Sequence, residues 1–169
     1  MLVYLPLTHH NSIIDARIHL HAPRPILAST IFLTSIKTFN AELKASVTHD
    51  KGTPPSEFHL RATNYLGPSY VVLDPKYEGT FDLQTKQAIM SVKENNAKPI
   101  APDPLGQRRE RGYQIDHSSS SRIFGWVGWG SRPGPTTQQI HQGHVEVATS
   151  KSAVTLQLDG AGEKINGQS

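Results

Sequence analysis

"FDLQTKQAIMSVKE", residues 81–94, and "VEVATSKSAVTLQLDG", residues 145–160, are written to one plan. Each alternates apolar and polar residues, reaches a Thr, spends about four polar or small residues, and alternates again. Successive side chains of a β-strand point to opposite faces, so each half reads as a half-buried strand and the Thr-led interval as a turn between two strands. The same form opens at Ile31 and Phe58. The units at Ile31, Phe58 and Phe81 begin 27 and 23 residues apart, inside the period range of β-solenoid arrays. A two-sided ribbon cannot bury its apolar face alone. Stacking the next copy closes the core, which is a physical reason for the chain to repeat itself.

Working outward, period-2 alternation recurs in "ARIHLHA" (16–22), "TIFLTSIK" (30–37), "NAELKASV" (40–47), "EFHLRAT" (57–63) and "SYVVLDP" (69–75). "NAELKAS" also suits a short helix, because Ala, Glu, Leu and Lys are helix formers. The fold class expected is all-β: stacked short strands, solenoid-like or a twisted sandwich, forming one domain over 14–160. Residues 1–13 read as a loose segment and 161–169 as a disordered tail. Between the third and fourth units, 95–142 is rich in Pro, Asn, Ser and charge, with few apolar residues to offset the entropy of ordering it. It reads as a long disordered insertion, mobile from about 95 to 121, with an aromatic segment at 123–130.

Composition bounds the function classes. The 169 residues carry a net charge of +3, scattered except for "QRRERG" at 107–112, so no dense basic stripe points to nucleic acid. Cysteine is absent, which excludes disulfides and thiolate metal sites. "MLVYLPLTHHNS" lacks a basic leader region and is broken at Pro6 and His9, and no apolar run is long enough for a membrane helix. A soluble cytoplasmic or otherwise intracellular protein is the expectation.

The chain resembles an uncharacterised fungal β-repeat domain, best known from mushroom-forming fungi and related to adhesin-like β-rung domains of bacteria. The resemblance is carried by "IDARIHL" (14–20), "LDPKYEGTFDLQTKQAIMSV" (73–92), "IFGWVGW" (123–129) and "GHVEVATSKSAVTLQL" (143–158). That family writes strand, Thr-Lys-Asn-Gly-Ser-Val, strand, after a Leu-Pro-x-x-Phe-x-Gly turn. Here Leu73–Gly79 resembles that turn, while Thr85–Met90 and Thr149–Val154 resemble the rung motif. Gln87-Ala88 and Lys151-Ser152 stand where the family has Asn-Gly, the pair that supplies a tight turn's positive φ angles. The resemblance implies a fold and no chemistry.

Candidate chemistry is sparse. His19 and His21 share one strand face and His59 has the same outward parity on another strand, a set that would hold a metal only with a matching carboxylate. His141 and His144 sit in what reads as a loop. Asp116, His117 and Ser118 contain triad residue types but are consecutive, and no nucleophile elbow or phosphate loop occurs. Arg108, Arg109 and Arg111 read as a solvated run. Trp126, Trp129, Phe124 and Tyr113 form the most suggestive binding patch: a platform for a glycan or protein partner if exposed, or a cap over the end of the array if buried. The reading is a non-catalytic binding or scaffold module without cofactor or metal, its partner an unidentified protein or glycan. The alternatives are a carbohydrate-binding, adhesin-like module using Trp126 and Trp129, and a His-based metal-dependent enzyme.

Overall fold

The computed structural model describes residues 2–21, 31–50, 57–95, 103, 106–133 and 142–163. Among them there are strands and turns and no helix. The strands are β1 (Leu2–Thr8), β2 (Ile14–Leu20), β3 (Ile31–Thr38), β4 (Leu43–His49), β5 (Glu57–Asn64), β6 (Ser69–Leu73), β7 (Gly79–Gln84), β8 (Met90–Asn95), β9 (Arg111–Ser118), β10 (Arg122–Trp129), β11 (Gly143–Thr149), β12 (Val154–Asp159) and the two-residue β13 (Gly162–Glu163). The chain shuttles between two sheets. The larger runs β1-β3-β5-β11-β7-β10-β9-β13 and the smaller β2-β4-β6-β12-β8. One strand in each sheet, joined by a corner of four or five residues, makes a rung. "NAELKAS" belongs to this scheme: its alternating Leu43, Ala45 and Val47 point inward on β4, and burial decides against helix propensity.

Stacking is parallel and in register. Val145 of β11 lies opposite Leu60 of β5 on one side and Phe81 of β7 on the other. Its continuation β12 pairs with β6 and β8 in the same way. The two stretches that share a plan are thus neighbours in space, and the rung written last, β11–β12, slots between β5–β6 and β7–β8. The core is the inward parity of both sheets: Leu60, Ala62, Phe81, Leu83, Val145 and Val147 from the larger, and Val47, Val71, Leu73, Leu156 and Leu158 from the smaller. Each such aliphatic side chain contributes roughly 1.5–3 kcal/mol by leaving water.

Three expectations are corrected. The segment 95–142 is not one loose insertion, because β9 and β10 form an antiparallel hairpin that extends the larger sheet beyond β7. Its neighbours 96–102, 104–105 and 134–141 lie outside the described residues. Residues 1–13 are not loose either: β1 pairs with β3 over seven positions, and Pro6 is tolerated because β1 is an edge strand with one row of unused backbone groups. At the far end Gly162 and Glu163 pair with β9, while 164–169 lie outside the described residues.

Candidate functional site

The recurring Thr of the sequence plan marks the corner where the larger sheet hands over to the smaller. Thr38, Asn64, Thr149 and Thr85 occupy this position on successive rungs and are all buried. Backbone bonds such as Leu66 N–H to the Phe39 carbonyl carry the ladder partly round the corner, and the Asn64 and Thr149 side chains satisfy further backbone groups there, whereas the buried Thr38 hydroxyl has no partner among the described residues. Asn64 serves the backbone twice over. Its amide donates to the carbonyls of Ala41 (2.8 Å) and Pro68 (3.3 Å), and its oxygen accepts from the Gly67 N–H (3.1 Å). Thr149 Oγ1 bonds Thr85 Oγ1 at 3.2 Å, joining two rungs that are 64 residues apart in sequence. Gly67 has to be glycine, since a Cβ there would stand 2.0 Å from the Ala41 carbonyl oxygen.

Outside this row runs a groove of about 850 Å³ across β1, β3, β5, β11, β7 and β10. Six strands spaced at ~4.8 Å make it roughly 24 Å long. Its relief follows from side-chain size. On β3 and β5 the corner begins with Phe39 and Tyr65, whose rings stack at 4.8 Å and 10° and remain 44% and 43% exposed. Next comes β11 with only Ala148, Thr149 and Ser150, and beyond it stand Gln84, Lys86 and Arg122. The late rung therefore forms the trough, between an aromatic wall and a cationic one.

Among the described residues no Asp or Glu lines the groove. Arg122 is held from behind by Asp82, with Nε to Oδ1 at 2.9 Å and Nη2 to Oδ2 at 2.6 Å, and these bonds raise its pKa further. Lys37 and Lys86 are exposed and have no ion-pair partner among the described residues. Hydroxyls and amides of Thr8, Thr63, Gln84, Ser121 and Ser150 also line it, with His9 and His10 at the β1 end. The arrangement can grip an extended, hydroxyl-rich ligand and favours negative charge on it.

The four aromatics singled out from sequence sit elsewhere, on β9 and β10, and only one is open to solvent. Trp126 and Trp129 are 1% and 3% exposed. Trp126 is on the outward parity of β10, and its ring lies over Gly128, where a Cβ would approach Cζ2 to 2.4 Å. Trp129 is packed under the Arg111 guanidinium, 5.8 Å from the ring centroid. Tyr113 belongs to the core and reaches Glu94 of β8 at 3.4 Å. Phe124 is half-buried between Arg122 and Arg132. Stacking on a sugar needs an open indole face, and here both indoles are covered.

The histidines disperse. His19 and His21 are on the side of the smaller sheet, bonded to Thr48 Oγ1 (2.7 Å) and Asp50, whereas His59 is on β5 of the larger sheet beside Glu57 (2.9 Å). No group of three metal-ligating residues comes together among the described residues. His144 proves to be on strand β11, in register with His59; burial first and His59 second depress its pKa. His141 lies outside the described residues. Asp116, His117 and Ser118 follow one another along β9, with Asp116 turned to Gln114 and Arg132.

The arginine run is not uniformly solvated. Arg108 is exposed, and Arg109 makes a bidentate pair with Asp103 (2.9 and 2.8 Å). Arg111 is buried, donating to the carbonyls of Tyr77 (2.7 Å) and Asp74 (3.1 Å). Burial lowers its pKa to about 10 against the pull of Asp74 and Glu78. The Asp74 carboxylate in turn accepts from the His49 N–H (2.6 Å), His49 Nδ1 (2.9 Å) and the Tyr77 N–H (3.1 Å). These groups tie β4, the turn before β7, and β9 together. Sequence reasoning missed both this network and the groove. The recurring Thr at strand ends was the available signal for the groove. The chain matches no family model, no curated protein and no solved structure.

Proposed function

We propose that the chain is a non-catalytic binding module, and that the corner groove across β1, β3, β5, β11, β7 and β10 is its binding surface. One observation carries the reading: a trough of about 850 Å³ with an exposed aromatic pair on one wall and, among the described residues, ammonium groups without an ion-pair partner at its rim and no carboxylate in its lining. A concave surface with an apolar wall and a few convergent polar groups is the usual form of a ligand site. Its length suits an extended ligand rather than a compact one. The likeness to the fungal β-repeat domain is part of the same proposal, and it is supported by the Thr85–Met90 and Thr149–Val154 motifs falling at two equivalent corners.

The reading is tested by titrating the isotopically labelled chain with soluble oligosaccharides and following backbone amide shifts. Perturbations gathered at Lys37, Tyr65, Lys86 and Ser150 are expected. Perturbations confined to β9 and β10 would return the site to the Trp126–Trp129 region, and the groove reading would be abandoned.

A further inference from the structure

Within the groove, the row of corner residues runs Phe39, Tyr65, Ser150, Lys86. Phe39 and Tyr65 are stacked at 4.8 Å, the natural spacing of neighbouring strands, so the stack advances one ring per strand. Ser150 is the next step: its N–H donates to the Tyr65 carbonyl at 3.3 Å. Its side chain supplies a hydroxyl where the previous two steps supply rings. One face of Tyr65 is spent on Phe39, and 43% of the residue remains exposed on the strand next to Ser150. Lys86 follows Thr85, which is bonded to Thr149, and is the step beyond.

We infer that the groove takes a carboxylate-bearing glycan, with one uronate ring packed on Tyr65 above Ser150 and its carboxylate on the Lys86 ammonium. This inference rests on the groove being the binding surface. Three features select this ligand class. A sugar ring presents a C–H face to an aromatic side chain and hydroxyls at its rim, matching Tyr65 on one side and Thr63, Gln84 and Ser121 around it. The described lining has no carboxylate to repel an acid. Among the described residues the lysines of the groove lining without an ion-pair partner are few, Lys37 on β3 and Lys86 beyond β7, three strand steps or roughly 14 Å apart. A nucleic-acid strand carries a phosphate on every residue and is met by closely spaced Lys and Arg. A glycan acidified at intervals fits the sparser pattern.

The experiment is calorimetric titration of the full chain with oligogalacturonate, its methyl ester, a neutral oligosaccharide and a short single-stranded oligonucleotide. Two variants, Lys86→Gln and Ser150→Phe, accompany it, with thermal unfolding as the check on folding. Oligogalacturonate is expected to bind, and the ester about tenfold more weakly, the size of one charge-assisted hydrogen bond. Lys86→Gln should abolish that preference without moving the unfolding transition. Ser150→Phe should complete the row of rings and block binding. Equal affinity for acid and ester, lost in Ser150→Phe, would overturn the acidic class and leave the groove standing. Binding of the oligonucleotide alone would overturn it in favour of nucleic acid. Failure of every ligand to bind or to perturb the groove amides would sink both readings.

Discussion

The two ends of the stack are finished differently. At the β7–β8 end the larger sheet continues through β10, β9 and β13 past the last strand of the smaller sheet. That extension carries Tyr113, Ile123 and Val127 into the core and both tryptophans into buried positions. At the β1–β2 end nothing among the described residues follows. Leu5 and Leu7 take the inward parity of β1 yet are 56% and 40% exposed, and Tyr4 and Ile13 beside them are exposed as well. Repeat arrays need capping units because each rung hides its apolar face only on its neighbours. One end here has a cap with its own polar network, and at the other no described strand covers β1. Stability should therefore fall along the stack, highest around β11 and lowest at β1.

Four measurements can break or sharpen that contrast. The largest effect is expected for Trp126→Ala, which empties the outer layer over Gly128 and should cost about 3–5 kcal/mol in urea unfolding. A loss below 1 kcal/mol would mean that the hairpin is no cap. Next is Arg111→Met, which leaves the Tyr77 and Asp74 carbonyls without their buried donor. A loss of roughly 1–3 kcal/mol is expected, with faster amide exchange in β9 and in the turn before β7. At the β1 end Leu7→Ala removes a side chain already partly in water and should cost under about 1 kcal/mol. Amide exchange in β1 and β2 should also be the fastest of the two sheets. A Leu7→Ala loss as large as that of Trp126→Ala would erase the distinction between the ends.

The smallest effect concerns pH. Because the His144 pKa is depressed in the fold, the unfolded chain takes up this proton first as pH drops through the ordinary value of 6.5. Its contribution to stability is complete above that value and declines as pH falls towards the folded pKa. His144→Thr should flatten the slope of urea midpoint against pH in that window. Parallel profiles for the two proteins would show that His144 is not the group responsible.

Much of the rung pattern was legible because burial on one face imposes a period of two. The alternation at Phe58–Ala62, Phe81–Leu83 and Val145–Val147 reports parity directly. Of the strands that went unread, β1, β9, β10 and β13, two hid for plain physical reasons. β1 is interrupted by Pro6, which only an edge position forgives, and β9 interleaves its core residues with charge and begins at Arg111, a cation that reads as solvated until its carbonyl partners are seen. Strand order was not legible at all. Parity says which face is inside but not which copy lies next to which, and the β7 and β11 motifs are nearly interchangeable. The groove was invisible for a related reason. Six strands each contribute a few residues to it, and Lys37, Thr63 or Gln84 alone looks like any outward residue of a strand. The aromatic segment drew attention because density of Trp is a strong signal, yet platform and cover share that signal and only burial separates them.

The central claim, that the rung written last, β11–β12, is inserted between β5–β6 and β7–β8, can be tested in a chain that has no cysteine of its own. Position 144 faces 59 on one side and 80 on the other, so 59 and 80 are two strand steps, ~9.6 Å, apart. A disulfide needs Cα atoms within about 7 Å. Paired cysteines at 59 and 144, and at 80 and 144, should therefore cross-link on mild oxidation, while a pair at 59 and 80 should not. Efficient cross-linking of 59 to 80, with none to 144, would contradict the intercalated order.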